Sequence, residues 1–240
     1  MLLSPVFNPL KAQSAEEVVR RSYEKMEGES SQARITMKII RPDWQRSYTM
    51  KTWSKGEDFS MVLILSPARD EGTAFLMREN EIWNWLPGVN RTIKLPPSMM
   101  SQSWMGSDFS NNDLVRESSI IKDYTYRMLG DTLLSEGEAY MIEMIPKPDA
   151  PIVWSKVISY ITKENDLYIR AEYYDEDDIL IRLMTGKEIK EIGGRIIPTV
   201  MEMIPVEEEG NMTVVIYEDI DFNIDISERF FSIQNLKRVD

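Results

Sequence analysis

The sequence predicts a mainly β chain, α+β in class: a single antiparallel meander of about ten or more strands that curls into an incompletely closed barrel, led by one helix. Three observations predict it. From residue 33 onward, apolar residues recur with a period of two rather than three or four. The runs are short and parted by Pro, Gly, Asn or Asp, which favours hairpins over helical crossovers. Their number exceeds what a strongly twisted open sheet carries flat, so the sheet must curl. A length of 240 residues suits one all-β domain. We assign residues 15–240 to that domain and residues 1–14 to a leader.

The leader reads as a residual signal peptide. Residues 1–10 are apolar but broken by Pro5, Asn8 and Pro9, with no basic segment before them. Ala12-Gln13-Ser14 then places small residues two apart, the spacing signal peptidase accepts. A helix follows over 15–27, where Val18, Val19, Tyr23 and Met26 fall on one side at spacings of three and four. Glu16 and Glu17 suit its positive end and Gly28 its C-terminal cap.

Strands are expected over 33–41, 45–55, 58–65, 73–78, 81–86 and 91–95, divided by Pro67, Gly72 and Pro87-Gly88. The alternation then stops. Residues 96–118 carry Ser, Asn, Met and Gly, and two short helices are expected there, over 98–104 and 111–117. Ser110 and Asp113 have capping-box spacing. Strands resume at 124–129, 139–145, 153–162, 167–174, 180–192, 195–204 and 212–219. Gly193-Gly194 is the strongest hairpin signal among their turns. The helices of the insert are left to cover one opening of the barrel.

Composition removes several function classes. The net charge of −12 argues against nucleic acid, which needs a basic patch to displace counterions. With no histidine and no cysteine, Ser-His-Asp and Cys-His catalysis, thiolate chemistry and disulfides are all excluded. Carboxylate pairs and oxygen-ligated cations survive that exclusion. Asp175–Asp178 with Glu172 is the best such cluster, yet it lacks EF-hand spacing and reads as a charged turn between two strands. No glycine-rich phosphate loop is present, and no catalytic residue, metal site or cofactor is expected. No stretch is long and apolar enough for a helical membrane span.

What remains is greasy and adaptable. Met99, Met100 and Met105 lie in the irregular insert beside Trp104 and Phe109. Methionine moulds to irregular apolar partners, so this cluster reads as a lid over an apolar cavity. Methionines in the strands read as ordinary core. Trp83 and Trp85, two apart, share one sheet face. On a concave face they would line a cavity for acyl chains; in a filled core they would simply pack.

Trp83-Asn84-Trp85-Leu86-Pro87, Arg91, Ile93-Lys94, Ser103-Trp104-Met105-Gly106-Ser107-Asp108-Phe109 and Asp113-Leu114 together resemble the outer-membrane lipoprotein-sorting family, the LolA-like periplasmic carriers. Tyr140 through Pro146-Lys147, Glu172-Tyr173-Tyr174-Asp175, Phe230-Phe231 and Leu236-Lys237-Arg238 continue the resemblance. It covers nearly all of residues 15–240. It implies a half-open antiparallel β-barrel with a helical lid, and a soluble, exported, monomeric carrier that shields the acyl chains of lipoproteins or lipids in the periplasm. It also implies association with an inner-membrane transporter, since relatives accompany large export pumps. The expected ligand-binding or lid residues are Trp83, Trp85, Met99, Met100, Trp104, Met105, Phe109 and Leu114. The chain departs from the family in its poor leader and in the all-acidic turn at Asp175–Asp178. It has no lipobox cysteine for an anchor of its own. A non-enzymatic accessory subunit docking on an export pump is the alternative reading.

Overall fold

The computed structural model describes residues 13–79, 81–111, 113, 120–148, 150 and 152–240. Helix α1 spans Ala15–Glu27. Ser14 caps it reciprocally: its hydroxyl accepts from Glu17 N at 3.2 Å, and Glu17 Oε2 accepts from Ser14 N at 3.1 Å. Thirteen strands follow among the described residues. They are β1 (Ser30–Ile40), β2 (Gln45–Lys55), β3 (Phe59–Ser66), β4 (Ala74–Arg78), β5 (Glu81–Leu86), β6 (Arg91–Lys94), β7 (Tyr124–Leu134), β8 (Gly137–Pro146), β9 (Lys156–Thr162), β10 (Tyr168–Tyr174), β11 (Leu180–Ile192), β12 (Arg195–Pro205) and β13 (Met212–Phe222). A four-residue helix, α2 (Ile233–Leu236), closes the chain.

All thirteen strands belong to one antiparallel sheet, in the order β6-β5-β4-β3-β2-β1-β13-β12-β11-β10-β9-β8-β7. The first and last strands pair in its middle, so the free edges are β6 and β7. The sheet does not close. The segment between those two edges in sequence, residues 95–123, therefore has to cross from one edge to the other. Register shifts at Arg34/Ile35, Thr49/Met50, Met128/Gly130, Tyr168/Arg170 and Tyr173/Tyr174 supply the bulges that increase twist and curl the sheet.

The two halves of the sheet are covered differently. On β2–β5 both faces are buried, which is why β4 reads as an unbroken apolar run, Ala74-Phe75-Leu76-Met77. The inner face carries Tyr48, Met50, Ile64 and Phe75 against Trp104 of the insert. The outer face carries Trp53, Met61, Leu63, Ala74 and Leu76 against Ile226, Phe231 and Leu236, because the chain folds back beyond β13. On the other half, α1 lies over the concave face, packing Val18 and Val19 against Met144, Val157, Met184 and Met201.

Polar contacts pin α1 at the end of the sheet that holds the β9–β10 and β11–β12 turns. Arg21 pairs with Asp166 at 2.9 Å, Lys25 donates to Asn165 O at 2.6 Å, and Arg195 donates to Glu24 O at 2.8 Å and Lys25 O at 2.9 Å. The β11–β12 turn is the tight hairpin that Gly193-Gly194 predicts, with φ of +56° and +74°. A Cβ on Gly193 would stand 2.4 Å from Ile220 O. Gly193→Ala is therefore expected to lower unfolding free energy by about 1–3 kcal/mol, measured by urea titration.

The insert differs from expectation. Residues 98–104 form no α-helix. A single 3-10 turn at Pro97–Met99 gives way to turns and a bridge between Ser103 and Ser110. Side chains have captured the backbone groups a helix would need: Asn111 Nδ2 donates to Met99 O and Gln102 O, and Ser103 Oγ donates to Ser107 O. Met105 and Gly106 both take positive φ. The capping pair is present, with Ser110 N donating to Asp113 Oδ2 at 2.6 Å and Asp113 N to Ser110 Oγ at 3.1 Å. Most of the helix expected over 111–117 lies outside the described residues, as does Leu114. Helix α2 is an element the period-two reading does not reveal.

Candidate functional site

The candidate site is an apolar cleft between α1 and the concave face of the β7–β13 half. Its volume is about 120 Å³. The α1 wall presents Val19, Tyr23 and Met26, three and four apart on one helical face. The sheet wall presents Met144, Met184, Met201 and Met203. Met201 and Met203 are two apart on β12 and so share its inner face. Phe109 of the insert also lines the cleft. Four methionines on one wall give a surface that adapts to a ligand's shape.

Ile152, Trp154, Arg182 and Asp113 stand where the cleft lies near the β8–β9 and β10–β11 connections. Arg182 Nη1 reaches Asp113 Oδ2 at 3.1 Å, and its guanidinium sits 4.6 Å from the Trp154 ring centroid. Trp154 meets Tyr173 edge-on at 5.3 Å. This cluster ties the insert to the sheet at that end.

A second tie holds the insert rigidly. Arg41, just past β1, donates to both oxygens of Asp108 at 2.9 and 3.1 Å and to Gly106 O at 2.9 Å. Thr213 Oγ1 donates to Asp108 Oδ2 at 2.6 Å and accepts from Asp108 N at 2.9 Å. The Arg41 and Asp108 side chains are only 14% and 6% exposed, so this is a buried, bidentate pair.

The structure places the expected site residues in several surroundings. Phe109 lines the cleft. Trp104 is buried on the inner face of β2–β5, 5.4 Å from Phe75 in an edge-on contact, and Met105 packs beside it. Met100 packs with Met77, Ile82 and Leu95 towards the β6 edge, and Met99 is exposed. Trp83 and Trp85 lie on the outer face, under the C-terminal segment. Trp83 lines a separate cleft there, of about 260 Å³, with Phe231 and Ile233. Sequence reasoning passed over the methionine wall and the aromatic cluster of Trp154, Tyr168 and Tyr173. The paired spacing of Met201 and Met203 was the available signal.

The carboxylates are engaged structurally. Glu172 accepts from Arg170 at 2.6 Å and from the hydroxyls of Tyr160 and Tyr174 at 3.3 and 2.9 Å. Burial and the Glu172 contact push the Tyr174 phenol up to about 12. In the acidic turn, Asp175 Oδ1 accepts from Asp177 N and Ile179 N at 3.0 and 2.9 Å, the local bonding of a tight turn. Among the described residues no helix is long and apolar enough to cross a membrane.

A DUF1329 family protein from Desulfovibrio piger superposes with a TM-score of 0.84 at 23% identity, covering 92% of this chain and 97% of that one. A candidate outer membrane lipoprotein-sorting protein domain from Vibrio parahaemolyticus gives 0.81 at 23% identity, covering 93% and 98%. A LolA superfamily protein from Nitrosomonas europaea gives 0.79 at 24% identity, covering 93% and 99%. No curated protein matches the chain. A family model described as "Uncharacterized protein" matches residues 56–238. Matched over well more than half of its length, the chain belongs to that family, and its fold is the half-open LolA-like barrel of the lipoprotein-sorting proteins.

Proposed function

We propose that this protein is a non-enzymatic periplasmic carrier that binds the acyl chains of lipoproteins or lipids in the cleft under α1 and passes them towards the outer membrane. The methionine-lined cleft carries the reading. Each buried CH₂ is worth about 0.8 kcal/mol, so an acyl chain crosses water only inside an apolar host. The LolA-like fold supports it, since similar folds belong to proteins described by lipoprotein sorting. The cleft is smaller than the roughly 300–1,000 Å³ of most ligand pockets. Entry of a full acyl chain therefore requires the walls to part, and the Arg182–Asp113 contact is the tie that would release.

Phe109→Asp tests this reading with a fluorescent acyl probe. A carboxylate facing hydrocarbon should weaken probe binding by about 100-fold or more, whereas in the empty cleft it stays hydrated and folding suffers less. Unchanged binding alongside a collapsed urea midpoint would make Phe109 plain core and count against the cleft as the binding site.

One observation favours the second reading, an accessory subunit on an inner-membrane export pump. Trp44, Val89, Val153, Ile179 and Val206 are 46–61% exposed and all lie in connections at the same end of the sheet. Exposed apolar side chains at one end of the sheet would suit contact with a partner there. A carrier must also dock in order to load. Pump binding without any probe uptake would favour the accessory reading.

A further inference from the structure

The cleft is not uniformly apolar. Ser22 lies on the α1 wall, 1% exposed, and its hydroxyl has no hydrogen-bond partner among the described residues. Five residues on, at the last position of α1, Glu27 also lines the cleft. No hydrogen bond or ion pair reaches its carboxyl among the described residues. Buried polar groups ordinarily find partners, so the orphaned Ser22 hydroxyl, with an unpartnered half-buried carboxyl further along the same wall, leaves polar capacity in the cleft for a group from outside the chain.

The opposite wall does not supply it. Arg182, a cation of the cleft lining, is already bonded to Asp113 and stacked on Trp154. The lining phenols of Tyr23, Tyr124, Tyr168, Tyr173 and Tyr217 have contacts of their own. Near the end of α1, Arg195 is spent on the helix carbonyls of Glu24 and Lys25, and Lys25 on Asn165 O. The unused capacity of the cleft is thus hydrogen-bond acceptance with negative charge.

We propose that the α1 wall is a headgroup subsite, in which the Ser22 hydroxyl and the Glu27 carboxylate receive a protonated amine carried next to the acyl chains of the ligand. The proposal rests on the carrier reading and narrows it. It selects amine-bearing amphiphiles over fatty acids, whose carboxylate would face Glu27 with no free cation among the described residues to offset it. Desolvation holds the Glu27 carboxyl above the usual carboxylate range, and a bound ammonium would draw it back down and keep it charged.

The test compares dodecylamine, dodecanol and dodecanoic acid as competitors of a fluorescent acyl probe at pH 7.5. Wild-type protein should prefer the amine over the alcohol by at least about tenfold, the scale of one hydrogen bond to a charged group. Glu27→Gln, which keeps shape and size, should abolish that preference while leaving dodecanol binding in place. Ser22→Ala should reduce it by a smaller factor. Urea unfolding of each variant confirms that the fold persists. Equal binding of amine and alcohol by wild type, or a preference that survives Glu27→Gln, overturns the subsite and leaves the carrier reading intact. Failure of all three chains to compete overturns both. A lysophospholipid with an ethanolamine headgroup separates two sources of the amine. Binding that is sensitive to Glu27→Gln assigns an aminophospholipid; sensitivity confined to dodecylamine assigns an amine without a neighbouring phosphate.

Discussion

Replacing Asp108 by Ala should lower the free energy of unfolding by about 3–5 kcal/mol, the cost of stranding one member of a buried ion pair. Arg41 would keep its guanidinium in a nearly enclosed site with its bidentate partner gone. Thr213 Oγ1 would lose its carboxylate acceptor and keep only the bond it receives from the backbone N–H of residue 108. Urea unfolding measures the loss, and a double-mutant cycle with Arg41→Met separates its origins. If an unpaired cation is the main penalty, the double variant should be more stable than Asp108→Ala alone. A loss below about 1 kcal/mol would mean that the pair behaves as a solvent-screened surface contact. The result also bears on function, because this tie fixes the insert beside the cleft at Gly106–Asp108.

Trp104→Ala should cost a further large amount, about 3–5 kcal/mol, as for other buried aromatic truncations. The indole is 5% exposed and fills the space over Tyr48, Met50, Ile64 and Phe75. The edge-on contact with Phe75 adds to its area burial. Its N–H has no partner among the described residues. Trp104→Phe should therefore recover much of the loss, since it restores aromatic packing and removes an unpaired donor. Acyl-probe binding by folded Trp104→Ala should change little, in contrast to Phe109→Asp. A Trp104→Ala variant that unfolds normally yet fails to bind probe would move the ligand into the β2–β5 half of the barrel.

Much of the molecule was legible in the sequence because its signals are local. Serine and glutamate three apart, followed by valines at helical spacing, determine α1. Alternation bounded by Pro, Gly and Asn determines the strands, and Gly193-Gly194 determines its hairpin, since only residues free to take positive φ make that turn without strain. A long run of antiparallel strands determines a curled sheet. The face that each strand turns to the cavity was not legible. Period two says that Trp83 and Trp85 share a side; only the return of Ile226, Phe231 and Leu236 over the outer face decides which side that is. On β2–β5 both faces are apolar, so parity carries no information there. The insert escaped for a related reason: its Asn111 and Ser103 bonds to backbone groups draw on partners that helix periodicity does not encode. The cleft is decided later still. Met144, Met184 and the Met201/Met203 pair are distant in sequence and meet only when the sheet curls beneath α1, and only that approach strands the Ser22 hydroxyl and brings Glu27 to the cleft wall.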